Sequence, residues 1–503
     1  MKHKWLKVFF YYTIIFLLAI SLIFTIYFIG KERKNTILIV VLIMIYVLNL
    51  IFNIIIFSTN KTDESKQSWQ LVFAAIPLVG HLFYIIFGQK YNNELSHEEY
   101  KKESALALVS NNNYSSTHVF NTQENDFLKL NKLSKLTNRK IMPANIITHD
   151  NGHYYFKSIF SSMEKAKKYI FIEMYIIKNG EIFEQLKDIL IKKVAEGVDV
   201  KILIDDFGSW DIPRSVIKEL IKQGASVKVI EKINFPFITG SNNYRSHRKF
   251  IIVDGIKVFT GGSNISDEYV NYSVKYGIWK DANIELEGPV IENYIRLFKY
   301  DWEIHTDSKL NIQLNNHYDV LNYKNLIVTA EDGPRSEFAK LESTIVKLFN
   351  EANSEIKIAT PYFIPSSRLE KAILDSLEQG IKVTIYIPGL WDKSYVYFST
   401  IAALKPFVAY GLEIKIVKNC FLHSKMAVID NELAYIGTLN LDHRSFYSQH
   451  EITNFIIGEG VNDINKIFDS YDKLNDEAKI KKLLYRYENP IAFGFRKLFK
   501  PLL

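Results

Sequence analysis

The chain has 503 residues, 48% of them hydrophobic and 23% charged, enough length and apolar content for several packed domains, which excludes a disordered polymer. Its 62 Lys and Arg against 55 Asp and Glu leave a net charge of +7, too small for a dedicated nucleic-acid binder but suited to an anionic membrane surface or substrate. Cys420 is the single cysteine, so no intrachain disulfide can form, and a buried structural thiol is its expected role.

The apolar content is concentrated at the amino terminus. Val8 to Ile29 is a run of 22 residues without a charge, enough to cross a hydrocarbon core of roughly 30 Å at about 1.5 Å per residue. It is too long for the core of a cleavable signal and is read as a transmembrane helix. Ile37 to Phe57 is a second uncharged run, interrupted only by Asn49 and Asn53, and predicts a second span. A third apolar segment, Trp69 to Phe87, contains Pro77, Gly80 and His81, and is compatible with a kinked crossing or an interfacial helix. Basic residues flank the first span equally, Lys2, Lys4 and Lys7 against Lys31, Arg33 and Lys34, so charge bias leaves the orientation open. Residues 1–90 are therefore assigned to a membrane region and 91–147 to a polar connector, marked by Asn111-Asn112-Asn113 and Ser115-Ser116.

Beyond the connector the same plan occurs twice, over 148–325 and 326–503. A β-branched strand pattern (Tyr169 to Tyr175; Ile356 to Tyr362) leads through a helix-length segment ending at Gly197 or Gly380 into an alternating strand (Val198 to Ile204; Ile381 to Ile387). A second helix and glycine precede a third strand, Ser226 to Ile230 or Glu413 to Val417. Strand, helix, strand, helix, strand predicts an α/β sheet in each half.

Each half then carries one short grammar. His247-Arg248-Lys249, four apolar residues and Asp254-Gly255 return to Gly261-Gly262-Ser263-Asn264; His423-Ser424-Lys425, four apolar residues and Asp430-Asn431 return to Gly437-Thr438-Leu439-Asn440. On a strand, positions i and i+2 share a face, so each His and its Lys can meet one substrate group. Asp-Gly and Asp-Asn are hairpin-turn chemistry, and the returning strand would carry Asn264 or Asn440 back beside its histidine, 17 residues on in both copies. A lone His-x-Lys is usually structural; two copies with matching Asp, Gly and Asn are not readily explained that way. The set suits displacement at phosphorus: one imidazole as nucleophile, the other protonating the leaving oxygen, with two Lys and two Asn stabilising charge on the non-bridging oxygens. No metal or other cofactor is then required. Metal ligation is the rival reading, but the adjacent lysines would repel a cation and no carboxylate-rich ligand set accompanies the histidines. Asp254 and Asp430 complete the catalytic motif and, standing at turns, are expected to brace it rather than to transfer protons.

With these motifs, and with Asn243 to Lys249, Asp267-Glu268-Tyr269, Trp279-Lys280-Asp281, Thr360 to Pro365 and Gly437 to Phe446, the chain from Trp69 to Leu503 resembles the phospholipase D superfamily and, within it, the bacterial cardiolipin synthases. The resemblance implies two phospholipase D-like α/β domains related by pseudo-twofold symmetry after amino-terminal transmembrane helices. It also implies a covalent phosphatidyl-histidine intermediate and conversion of two phosphatidylglycerols to cardiolipin and glycerol. It makes His247 the nucleophile and His423 the acid and then base, although internal symmetry allows the reverse. It nominates Asp281 and Glu451 as partners orienting the histidines, and places the catalytic domains at the cytoplasmic face of a multi-pass protein of the cell membrane. Where such enzymes usually read Asn-Phe-Glu, this chain has Gln449-His450-Glu451, which questions the pocket's fine shape there.

Phosphatidylserine synthase and phospholipase D-type hydrolysis are the alternative activities, since the motifs do not encode the acceptor. A catalytically silent membrane scaffold is disfavoured by intact His, Lys and Asn in both halves. The basic, apolar segment Lys479 to Leu503 suits either an anionic membrane surface or docking onto the core. Oligomeric state leaves no mark in the sequence.

Overall fold

A computed structural model describes residues 34–59, 61–88, 124–233, 240–273, 275–306, 308–312, 323–334, 336 and 339–484. The predicted span Val8 to Ile29, most of the connector and the end of the basic tail lie outside these residues. The chain divides into two compact units, one of Met1–Tyr91, Asn234–Asn243 and Asn489–Leu502, the other chiefly of Asn92–Ile233 and Tyr244–Glu488.

In the first unit the helix Lys34–Phe57 covers the second predicted span. Its stretch Val40–Phe57 is the one described helix long and apolar enough to cross a membrane, and most of its side chains face outward. Asn53 does not interrupt it, because its amide donates back to the Asn49 carbonyl at 2.8 Å, one turn earlier. The third apolar segment is broken. A helix Asp63–Ala75, capped by the Thr62 hydroxyl, stops before Pro77, and a short turn Val79–Phe83 continues as a π-helical turn, Tyr84–Gly88. Phe52, Trp69, Phe73, His81 and Tyr84 pack into one aromatic cluster, in which the His81 ring stacks on Phe73 at 4.8 Å.

The second unit is built on one 15-stranded mixed sheet flanked by helices, with two separate two-stranded pairings beside it. The amino-terminal half supplies β1 (Ile141–His149), β2 (Tyr169–Met174), β3 (Asp199–Asp205), β4 (Ser226–Ile230), β5 (Arg245–Ser246), β6 (Lys249–Val253), β7 (Lys257–Gly261), β8 (Ile278–Lys280) and β9 (Asn283–Glu287). The carboxy-terminal half supplies β10 (Asn325–Asp332), β11 (Glu355–Ala359), β12 (Phe363–Ile364), β13 (Lys382–Pro388), β14 (Glu413–Val417), β15 (Cys420–Leu422), β16 (Met426–Ile429), β17 (Leu433–Gly437), β18 (Leu441–Asp442) and β19 (Gln449–Gly458). The three strands anticipated in each half are β2, β3 and β4 and β11, β13 and β14, all parallel within their set. The hairpins β6–β7 and β16–β17 follow the two His-x-Lys motifs.

The order along the sheet is β14-β13-β11-β16-β17-β19-β10-β1-β9-β7-β6-β2-β3-β4. Reading outward from the central β10–β1 pair, one succession of antiparallel strand, hairpin and parallel triplet occurs on each side. β1, whose nine residues fall at the end of the segment assigned to the connector and the start of the next, is thus a central strand, bonded to β10 on one edge and β9 on the other. Because the middle of the sheet is covered on both faces, its strands read as continuous apolar runs rather than alternations: Lys249 to Val253 and Met426 to Ile429 are buried at every position.

Aromatic stacking closes the core beneath the first motif. Phe298, on the helix Ile291–His305, is fully buried and stacks on Phe171 of β2 at 4.7 Å and beside Trp302 at 5.9 Å. Phe298→Ala removes a ring that nothing adjacent can replace and is expected to cost about 3–5 kcal/mol. Thermal unfolding of the detergent-solubilised variant should show a midpoint lower by several degrees, with the helix Lys34–Phe57 unaffected.

Candidate active site

Two short parallel pairings carry the site, and each joins one half of the sheet unit to the other. β5 runs beside the start of β19, with Ser246 opposite His450, and the next backbone N–H, that of His247, donates to the His450 carbonyl at 2.9 Å. β15 runs beside β8, with Leu422 opposite Lys280, and the N–H of His423 donates to the Lys280 carbonyl at 2.7 Å. Each histidine is therefore pinned, through its own backbone, one residue before an acid of the opposite half. The acids follow at once: Glu451 oxygens lie 2.9 and 3.0 Å from Nδ1 of His247, and an Asp281 oxygen lies 2.8 Å from Nδ1 of His423. The first half's histidine takes its carboxylate from the second half, and the second half's from the first. An Nδ1–H donated to a carboxylate leaves Nε2 with the free lone pair, the form a nucleophile or base requires.

Lys249 and Lys425 curl back over their histidines. The Lys249 ammonium donates to the His247 carbonyl at 2.7 Å and lies 5.3 Å from the centre of the Tyr175 ring; that of Lys425 donates to the His423 carbonyl at 2.5 Å and lies 3.2 Å from Nε2. All four side chains are almost sealed from solvent, the histidines 6% and 7% exposed and the lysines 1% each. Burial lowers the pKa of both imidazoles, that of His247 well below the usual value and that of His423 to about 4, with the lysine charges pushing the same way. Burial also lowers both lysines, Lys425 to about 8, against the pull of Asp281 and Glu451. Both lysines and His423 are among the charges that depress His247, and Lys249 and Lys425 among those that depress His423, so the two motifs form one electrostatic site. Burial raises Glu451 to about 8, against the pull of Lys249 and of the Thr438 hydroxyl. A buried cluster of two lysines and two histidines favours an anion among them.

The two asparagines differ. The Asn264 amide oxygen accepts from the Ile176 N–H at 3.1 Å and its nitrogen donates to the Tyr269 hydroxyl at 2.5 Å, so it ties the backbone next to Tyr175 to a ring packed edge-on against His423. Asn440 is 4% exposed, and its amide oxygen has no hydrogen-bond partner among the described residues. Asp254 and Asp430 stand at the far ends of β6 and β16, both with positive φ. The Asp254 carboxylate accepts from the N–H groups of Lys167, Lys168 and Tyr169 at 2.7–2.9 Å, and that of Asp430 from those of Asn353, Ser354 and Glu355 at 2.7–3.1 Å. Seven residues of extended chain, roughly 23 Å, separate each from its histidine; their carboxylates hold the entries of β2 and β11.

Comparison with known proteins identifies relatives of the chain. The family profile described as "Cardiolipin synthase, PLD-like domain" matches residues 159–302 and 345–471. The cardiolipin synthase of Oceanobacillus iheyensis is 32% identical over 474 residues, 91% of this chain and 97% of that protein. The major cardiolipin synthase of Bacillus subtilis is 31% identical, covering 83% of this chain and 89% of its own. The chain belongs to the phospholipase D-like cardiolipin synthase family. Among solved structures, the phosphatidylserine synthase of Haemophilus influenzae matches the fold with a TM-score of 0.56 at 16% identity, over 75% of this chain and all of its own.

Within this cardiolipin synthase family member several residues that shape the site went unassigned in the sequence. Tyr175 packs edge-on against His247 at 4.9 Å, and Trp279 lies 5.2 Å from His423. The unusual His450 serves His247 through its backbone carbonyl, while its ring lies 3.7 Å from Glu231, outside the His247–Glu451 contact. The two carboxylates are seated by different devices. The Thr438 hydroxyl donates to Glu451 at 2.5 Å, whereas at the matching position Gly262 leaves room for the shorter Asp281, one of whose oxygens would lie 2.0 Å from a Cβ added there. The Gly-Gly and Gly-Thr pairs were the available signal, but only the packed site shows what each admits.

Two outcomes follow. Gly262→Ala should displace Asp281 from His423 and lower turnover on the order of tenfold to a hundredfold, the cost of a misplaced catalytic group, with the circular-dichroism spectrum unchanged. Sulfate, whose own charge is constant over this range, should bind the site more tightly below pH 8 than above it. Lys425 loses its proton above that point, so the dissociation constant measured by calorimetry should rise by up to tenfold per pH unit.

Proposed function

We propose that this chain joins two phosphatidylglycerol molecules into cardiolipin and releases glycerol, working as a multi-pass protein of the cell membrane with its catalytic unit at the cytoplasmic face. The reading is carried by the reciprocal exchange of carboxylates, which makes two His-x-Lys motifs into one buried, anion-seeking site. The matching strand succession on either side of β10 and β1 supports a pseudo-twofold pair of phospholipase D-like domains with the site between them. The membrane region and the family membership favour a lipid substrate over a nucleic acid.

In this scheme the donor phosphodiester enters between the lysines and restores the positive charge that burial suppresses, raising the pKa of His423 so that it holds a proton. His247 attacks phosphorus through Nε2. The P–O bond to the headgroup glycerol breaks, the leaving oxygen takes the proton of His423, and a phosphatidyl-His247 intermediate remains. The neutral His423 then removes the proton from a glycerol hydroxyl of the second phosphatidylglycerol. That oxygen attacks phosphorus, the P–N bond breaks, and cardiolipin departs. Lys249, Lys425 and the amide of Asn440 stabilise charge on the non-bridging oxygens, Asn264 orders the wall that carries Tyr269, and Glu451 and Asp281 hold the imidazoles in their working tautomers. Asp254 and Asp430 act only by bracing the strands.

Purified protein given phosphatidylglycerol in mixed micelles with a chelator present should form cardiolipin and glycerol in equal amounts. Phosphatidic acid as the sole product would mark hydrolysis instead, and incorporation of serine a phosphatidylserine synthase. Rapid acid-free quenching should trap lipid phosphorus on His247, and His247→Ala should lose at least about a thousandfold in turnover; a fully active variant would refute the mechanism.

A further inference from the structure

The lipid must reach histidines that are almost sealed, and the loops around them have an unusual surface. Phe207, Trp210, Tyr272, Ile278, Trp391 and Tyr395 are all exposed, Trp210 to 72% and Trp391 to 41%. They come from three neighbouring loops and their edges, Ile278 starting β8 and Tyr395 lying in the first turn of the helix Ser394–Leu404. Trp210 follows the end of β3, Trp391 follows the end of β13, the matching strand of the other half, and Tyr272 and Ile278 lie in and after the segment leading to β8. Asp211 of the first loop acts electrostatically on Lys275 of the third, whose Gly277 fits so closely against Leu390 of the second that an added Cβ would stand 2.3 Å from its Cδ1.

Two of the loops are anchored to the active site. The Asp205 carboxylate accepts from the N–H groups of Phe207 and Gly208 at 2.9 and 3.0 Å, and the Ser209 hydroxyl donates to the carbonyl of Tyr175, the residue packed on His247. On the other side the Tyr362 hydroxyl donates to Asp392 at 2.6 Å, and the Asp392 charge acts on Lys425 and on Tyr269, which packs on His423. These are braced turns that hold large apolar side chains out in solvent, an arrangement that costs free energy unless something covers them. Tryptophan and tyrosine prefer the boundary between lipid head groups and acyl chains, and the same rim exposes Lys275, Lys393 and Lys418, which suit an anionic surface.

We propose that this rim is a bilayer-docking surface. Trp210 with Phe207 from one half, and Trp391 with Tyr395 from the other, insert at the head-group boundary of an anionic membrane, with Tyr272 and Ile278 between them. Docking sets the mouth of the His247–His423 site against the lipid, so that a phosphatidyl head group crosses into the site without its acyl chains entering water. The inference rests on the reading of the substrates as phospholipids and adds a surface that the chemistry itself does not require.

The test uses the full chain in nanodiscs of phosphatidylcholine and phosphatidylglycerol, with plain acyl chains or with chains brominated near the head-group end. The emission contributed by each tryptophan is obtained by difference from Trp210→Phe, Trp391→Phe and, as a buried control, Trp302→Phe. The Trp210 and Trp391 contributions should fall by at least half in brominated discs while that of Trp302 is unchanged. Equal emission in both discs would overturn the proposal and is the result expected of a protein-docking face. This measurement needs no turnover, so it stands or falls separately from the activity assay. In a second arm, Trp210→Ala combined with Trp391→Ala should raise the apparent surface KM for long-chain phosphatidylglycerol in bilayers more than tenfold, yet leave turnover of short-chain, monomeric phosphatidylglycerol at the wild-type level. Equal loss on both substrates would place these tryptophans in the substrate pocket and refute a docking role.

Discussion

Two backbone hydrogen bonds, His247 N–H to the His450 carbonyl and His423 N–H to the Lys280 carbonyl, are the constraint on which the site depends. Each comes at the end of a short parallel pairing between halves, and each sets the register so that the next residue of the partner strand delivers its carboxylate to the imidazole. A slip of one residue would turn Glu451 or Asp281 to the other face of its strand and leave a buried histidine without its partner. The halves cannot be separated and keep a working histidine. Two motifs 176 residues apart are thereby held side by side.

The electrostatics follow from that closure. Two lysines and two histidines are gathered in a nearly dry space with two carboxylates, and burial moves every resolved group toward its neutral form: His423 to about 4, Lys425 to about 8, Glu451 to about 8. Such a site favours a bound anion. Under the proposed function a phosphodiester supplies that negative charge, and the protonation states that the chemistry needs arrive with the substrate rather than before it. Anion binding and catalytic activation are then a single event, with the protein's dipoles and charges already in place.

The two halves share a plan but not their details, and the differences fall at the site. Thr438 secures the longer Glu451 by a hydrogen bond, while Gly262 makes room for the shorter Asp281. Asn264 is committed to Ile176 and Tyr269, whereas the Asn440 oxygen is left without a protein partner among the described residues. These asymmetries give the two histidines different surroundings on a common scaffold, which a reaction with distinct nucleophile and acid roles can use.

Much of this was legible in the sequence, because the signals were local and doubled. Period-2 strand patterns, Asp-Gly and Asp-Asn turns and the equal 17-residue intervals from histidine to asparagine are all short-range features, and their recurrence distinguished them from chance. Resemblance to a known family added Asp281 and Glu451 as partners. It remained for the tertiary structure to decide which carboxylate serves which histidine, since that depends on strands distant in the chain lying side by side. It also decided that Ile141–His149 is central to the sheet, that the third apolar segment breaks at Pro77, and that the motif aspartates are occupied with strand entries far from the chemistry. The sequence by itself determined the twin His-x-Lys motifs and their strand-and-hairpin setting, because periodicity and turn chemistry are written within a few residues of one another. Only the fold could make the motifs one site, because the hydrogen bonds that join them span the two halves of the chain.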